Sequence, residues 1–316
     1  MTETTLLSRA QGALLGLLVG DALGGAVSGW EPGQIRDAFP DGLRDIVGSS
    51  ERGTIAGQPG GRTEMALVLA HSLAGHGEYQ AVASREGYLK WLQSSPPDHE
   101  ERIRPALEGT PSPDDNDNAA LVRVLPLGIF GSRVWPDVVE LWAREEGEMT
   151  HSHPVCLAAN ELFAVAVATA IRVPSPREIL FEHLRARAEQ YDALLAETVR
   201  RARTDSPDYL SWPDSVLVAT QNALWQLLHA ESFEDALIDT VNRGGDASAN
   251  AAVCGALIGA VCGRGVIPER WAKTVLSCQP GPGVARPRPR EYWPVDALEL
   301  AEKLVADHPA GVEMKR

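Results

Sequence analysis

The sequence predicts an all-α fold. Apolar residues recur at spacings of three and four along most of the chain, and no segment shows convincing alternation of period two. With 316 residues and 44% apolar content, the chain is long enough to bury a sizeable interior, and no flexible linker divides it. A single multi-helix domain over residues 1–316, with a core spanning about 8–306, is expected.

In chain order, the periodicity predicts helices over 6–20, 63–74, 79–92, 136–144, 154–171, 176–203, 214–229, 233–242, 247–263 and 295–308. Loops are expected over 31–61, 94–119 and 279–293, the last because Pro280, Pro282, Pro287 and Pro289 cannot be helical. Asp45, Ile46 and Val47 offer at most a scrap of strand. The first helix carries Gly12, Gly16, Gly20 and Gly24, a stripe that drifts only about 40° per step around the axis. Each glycine costs roughly 1 kcal/mol against alanine. The compensation is close backbone approach by another helix, so this helix is expected to be central.

The net charge of −14 argues against nucleic acid, which needs clustered Lys and Arg. The Arg-rich stretch 185–203 alternates with acids and reads as a solvated face. The apolar run at residues 13–19 ends at Asp21, too short for a membrane span and a poor signal peptide. Cys156, Cys254, Cys262 and Cys278 have no CxxC spacing, which suggests buried thiols and a cytoplasmic setting.

Three junctions join a Gly-rich or Asp-rich loop to an apolar helix: GQPGGRTE at 57–64, DDNDNA at 114–119 and GGDASAN at 244–250. A helix N-terminus presents unpaired N–H groups and partial positive charge, so anions gather there. Thr63 and Asp246 also suit plain N-caps, worth about 1 kcal/mol each. From these junctions the expected ligand-binding residues are Arg62, Thr63, Glu64, Asp117, Asn118, Gly244, Gly245 and Ser248, with Asp246 the expected catalytic group. His151 and His153, in THSHP, read as structural; His71 reads as packed or at the surface.

Taken in order, GLLVGDALG at 16–24, TEMAL at 63–67, NAALVRVLP at 118–126, THSHP at 150–154, VNRGGD at 241–246, GALIGA at 255–260 and IPERW at 267–271 form a series. That series resembles the ADP-ribosylglycohydrolase family, which includes ADP-ribosylarginine hydrolases and dinitrogenase-reductase-activating glycohydrolases. The resemblance implies an all-α fold whose cleft holds two magnesium ions on a Thr-Asp-Asp triplet and an Asp-x-Asp-Thr cluster. Such ions orient the ribose diol and assist attack by water.

The residues here depart from that pattern. Gly60, Gly61 and Arg62 stand where the triplet belongs, followed by a matching Thr63; Asp246 is retained, but Ser248 and Ala249 replace the second Asp and the Thr. Asp117-Asn118-Ala119 replaces the Gly-Asn-Gly that cradles the pyrophosphate. No metal ligand set and no cofactor are therefore expected. The Arg62 guanidinium either occupies the space of a metal beside Asp246 or points to solvent.

Three readings follow. One is a pseudoenzyme, non-hydrolytic, that binds a nucleoside-like or ribosyl small molecule or has a regulatory role, its protein partner unknown. Another is a metal-independent N-glycosidase with Asp246 as acid or base, assisted by Glu64 or Asp117. The third is a magnesium-dependent hydrolase with substitute ligands from Glu64, Asp114, Asp115 or Asp117.

Overall fold

The computed structural model describes residues 3–96 and 100–306. The first helix, α1 (Glu3–Gly24), is followed by α2 (Pro32–Ala38), α3 (Gly61–His76) and α4 (Ala81–Gln93). Next come α5 (Glu100–Leu107), α6 (Ala119–Arg123), α7 (Leu125–Phe130), α8 (Pro136–Glu148) and α9 (Pro154–Arg172). The remainder is α10 (Arg177–Tyr191), α11 (Ala193–Arg201), α12 (Val216–His229), α13 (Phe233–Asn242), α14 (Ala247–Cys262), α15 (Glu269–Leu276) and α16 (Ala297–Val305). No strand occurs among the described residues; Ser49 and Thr54 form an isolated bridge, and the expected scrap at Asp45 to Val47 is absent.

The centre is the pairing of α1 with α14. A Cβ added at Gly12, Gly16, Gly20 or Gly24 would collide with backbone of Gly259, Gly255, Ala251 or Ala247 respectively. Gly255 and Gly259 face Gly16 and Gly12 in the same way from the other side. The two backbones therefore touch, as the glycine stripe predicts. Around them α9 buries all but a few of its residues, and one cluster of apolar side chains runs from Ala10 to Val305. Helices α1 and α9 are each long and apolar enough to cross a membrane, a length the sequence reading missed for α1; most of both is buried inside the fold.

Several boundaries differ from expectation. The segment 31–61 contains α2, which starts with Pro32 at its first position and a capping box between Glu31 and Gln34. The segment 94–119 contains α5, despite its internal Pro105. The predicted helix 176–203 is two helices, because the Asp192 carboxylate accepts N–H bonds from Leu194 and Leu195 and starts α11 afresh. Ser215 caps α12 in the same manner. A 3-10 turn over Pro294–Asp296 leads into α16, and the end of the predicted 295–308 helix lies outside the described residues. The four cysteines are free; three are buried and Cys262 is half-buried.

Candidate functional site

Asp246 sits at the N-cap of α14, where its carboxylate accepts the Ala249 N–H at 3.4 Å. The cap reading is therefore correct for Asp246, but the same carboxylate does more. Arg62, in the first turn of α3, donates from Nη1 to Asp246 Oδ2 at 2.5 Å. Asn118 Nδ2 reaches that oxygen at 3.2 Å, and Ser28 Oγ donates to Oδ1 at 3.1 Å. The ion pair is nearly closed to solvent, its side chains 7% and 10% exposed. Arg62 points inward, not to solvent.

Asp21, near the end of α1, holds the two helix starts together. Its Oδ2 accepts the Gly60 N–H at 2.7 Å just before α3, and its Oδ1 accepts the Ser248 hydroxyl in the first turn of α14. The loop before α14 needs left-handed backbone at Gly244 and Gly245, with φ of 75° and 64°. There the chain also runs so close to Trp30 and Tyr209 carbonyls that no side chain fits.

These elements border a cleft of 380 Å³. Ser28, Trp30, Arg52, Arg62, Asp246 and Ser248 line it, with Gly245 at its edge. Arg52 is fixed by a 2.8 Å bond from Nη2 to the Ser28 carbonyl. The arrangement offers a ligand guanidinium N–H donors, the carboxylates of Glu31, Asp214 and Asp246, two hydroxyls and the Trp30 indole.

Other expected site residues lie elsewhere. Thr63 is not a cap, since Gly60 holds that position; its hydroxyl is buried without a hydrogen-bond partner among the described residues. Glu64 is wholly buried and does not line the cleft, where the sequence places it as a ligand-binding residue. Arg288 grips it with two bonds of 2.8 and 2.7 Å, and Trp91 Nε1 adds a third at 2.7 Å. Gly244 shapes the backbone but does not line the cleft.

Asp117 does not line the cleft; its Oδ1 accepts the Ala119 N–H at 2.7 Å and faces His151 Nε2 at 2.9 Å. His151 is held in turn by Thr150 at 2.8 Å, while His153 caps α9. His71 lies half-exposed near Asp296. Side-chain atoms of Asp115, Asp117 and His151 fall within 4.8 Å of one another, a set able to ligate a cation.

Burial works against the Asp117 charge, but the hydrogen bond with His151, the nearby Arg62 and the Ala119 N–H outweigh it and hold the carboxyl well below its usual range. A depressed folded value means the stabilisation is complete above the unfolded pKa of about 3.9 and is lost as pH falls below it. Asp117→Asn is thus expected to be less stable than the parent at neutral pH, with the gap narrowing below about pH 4. Urea unfolding across that range measures it; a gap that stays constant or widens in acid contradicts the assignment.

Four residues of the site, Asp21, Ser28, Trp30 and Arg52, carry no site assignment from the sequence. Asp21 ends the apolar run at 13–19 and lies within α1 between Gly20 and Gly24 of the stripe, where a carboxylate on a buried central helix is itself a sign of a buried acceptor. Ser28 gave no local signal.

The comparisons with known proteins agree with this architecture. The family model for ADP-ribosylglycohydrolase matches residues 2–309. An ADP-ribosyl-[dinitrogen reductase] glycohydrolase of Rhodospirillum rubrum is 30% identical over 289 residues, covering 86% of this chain and 91% of that protein. An ADP-ribosylarginine hydrolase of Pseudomonas putida is 25% identical over 301 residues, covering 88% and 77%. A solved ADP-ribosylglycohydrolase-related protein complex contains a chain that superimposes with a TM-score of 0.77 at 29% identity, covering 95% of this chain and 98% of that one. With the match running nearly end to end, the chain belongs to the ADP-ribosylglycohydrolase family.

Proposed function

We propose that this chain binds a small ribosyl or nucleoside-like ligand in the cleft and does not hydrolyse it through a two-magnesium centre. The Arg62–Asp246 pair carries this reading. Two magnesium ions do not fit these residues: Gly60 and Gly61 have no side chains, Ser248 offers a neutral hydroxyl, and the Arg62 cation sits 2.5 Å from the retained carboxylate. Magnesium demands near-octahedral oxygen coordination, and a guanidinium in that position excludes it by charge and by volume. The ligand class is inferred from the relatives, whose names specify ADP-ribosyl bonds.

The residues this chain contributes are suited to holding a polyol. Arg62 and Arg52 donate, Asp246 accepts, Ser28 and Ser248 can accept because their hydroxyl hydrogens are given to Asp246 and Asp21, and Trp30 adds apolar surface. Asp246 is itself held by Arg62, Asn118 and Ser28, which between them engage both of its oxygens. A metal-independent glycosidase loses the two assistants expected from the sequence, since Glu64 is paired with Arg288 and Asp117 faces His151.

Calorimetric titration with ADP-ribose and simple ribosides, with and without magnesium, tests the proposal, alongside a release assay on ADP-ribosylarginine. Binding that magnesium leaves unchanged, with no release, is the expected result. Release only when magnesium is present overturns it; release without magnesium selects the glycosidase.

A further inference from the structure

We propose that Arg62 is a tethered cation, and that removing its charge reopens a divalent-cation site at Asp246. This rests on the reading above that the guanidinium excludes metal, and extends it to what the pocket still is.

Three buried carboxylates surround the junction of α1, α3 and α14. Asp246 is 8% exposed, Asp21 is 4% and Asp117 is 3%. Burying several carboxylates together is costly unless a positive charge lies among them. Arg62 supplies one at hydrogen-bonding distance from Asp246, and its charge also acts on Asp117. The pocket is acidic, and its counter-charge is part of the chain.

A further observation bears on the same place. Asn118 donates to Asp246 from Nδ2, but its Oδ1 is wholly buried and has no hydrogen-bond partner among the described residues. A buried amide oxygen left unsatisfied is unusual. Rotation of that amide would turn an oxygen toward the position beside Asp246, where the guanidinium now excludes any cation. Carboxylate, amide oxygen and water are the ligands hard divalent ions prefer. Both Arg62 and Asp246 line the open cleft, so an ion has a path in.

Mn2+ is the probe, because the signal of the free ion in electron paramagnetic resonance disappears on binding. Parent protein, Arg62→Lys, Arg62→Ala and Arg62→Ala with Asp246→Asn, each also carrying Asp115→Asn to exclude uptake at the Asp115, Asp117 and His151 set, are titrated, and thermal unfolding is followed in parallel. The parent and Arg62→Lys are expected to leave the Mn2+ signal and Tm unchanged. Arg62→Ala is expected to take up one Mn2+ per chain, and its Tm to rise by about 2 °C or more at saturating ion. The double variant should lose that binding at least tenfold, which separates the site from diffuse attraction to an acidic surface.

If Arg62→Ala does not fold without metal, Arg62→Gln, which keeps most of the bulk without the charge, is read by the same criteria. Absence of Mn2+ uptake in the uncharged variants overturns the inference, as does uptake by the parent equal to theirs. The first outcome leaves metal-free ligand binding by the parent untouched, whereas magnesium-dependent release of ADP-ribose by the parent defeats that functional reading on its own terms.

Discussion

Arg288→Met should lower the stability of the fold by about 3–5 kcal/mol, the range for removing one partner of a buried ion pair. Arg288 is 5% exposed and Glu64 is wholly buried. The guanidinium binds both carboxylate oxygens and also donates to the carbonyls of Ser94 and Ser95. Its removal leaves the buried Glu64 carboxylate without its guanidinium partner. It also releases the proline-rich segment from the end of α4. Because the loss comes from an uncompensated charge, Glu64→Leu added to Arg288→Met is expected to recover much of it. Urea unfolding of the two variants decides the matter; equal destabilisation in both would place the energy in packing and not in charge.

Gly16→Val is expected to have an effect as large, about 4 kcal/mol or more, or to prevent folding. A Cβ at Gly16 would press into the Gly255 carbonyl and the following peptide. These are backbone atoms of a central helix, which cannot swing aside as a side-chain tip does. Gly33 provides the contrast. A Cβ there meets nothing within 4 Å, so Gly33→Ala should be neutral or stabilising by up to about 1 kcal/mol. Circular dichroism during denaturation distinguishes them, and similar behaviour of the two variants would refute the close approach of α1 and α14.

Much of the helical plan was legible because long amphipathic or apolar helices advertise their period. The glycine stripe also foretold its own partner-facing role. Short helices were less readable. In α2 only Ile35 is buried, too little to create a pattern, and in α5 the internal Pro105 suggests a break. At Asp192 the apolar rhythm continues in phase across the boundary, so only the capping bonds reveal that two helices meet there.

The site was legible by position more than by partnership. Asp246 and Arg62 were singled out from the loops that precede α14 and α3, and the structure brings them together. Glu64 looked equivalent to Arg62 because it is two residues away at the same helix start. Its partner Arg288 lies 224 positions further on, in a segment whose prolines gave no hint of a buried guanidinium. Ser28 is silent for the same reason: it acts through a tertiary contact to Asp246 that nothing adjacent in the chain shows, whereas Asp21 is marked by its place in the glycine stripe but its partner Ser248 is not.

The meeting of α1 with α14 also has a consequence in time. Asp21 and Ser248 are 227 positions apart, so synthesis at about 5–20 residues per second leaves α1 without its mate for roughly 10–45 seconds. Throughout that interval an apolar helix, with glycines where a matching surface should close over it, is exposed to every other sticky surface near the ribosome. The nascent chain must therefore shelter its first helix long before the last one arrives to cover it, and productive folding in the cell will depend on how well it is shielded while it waits.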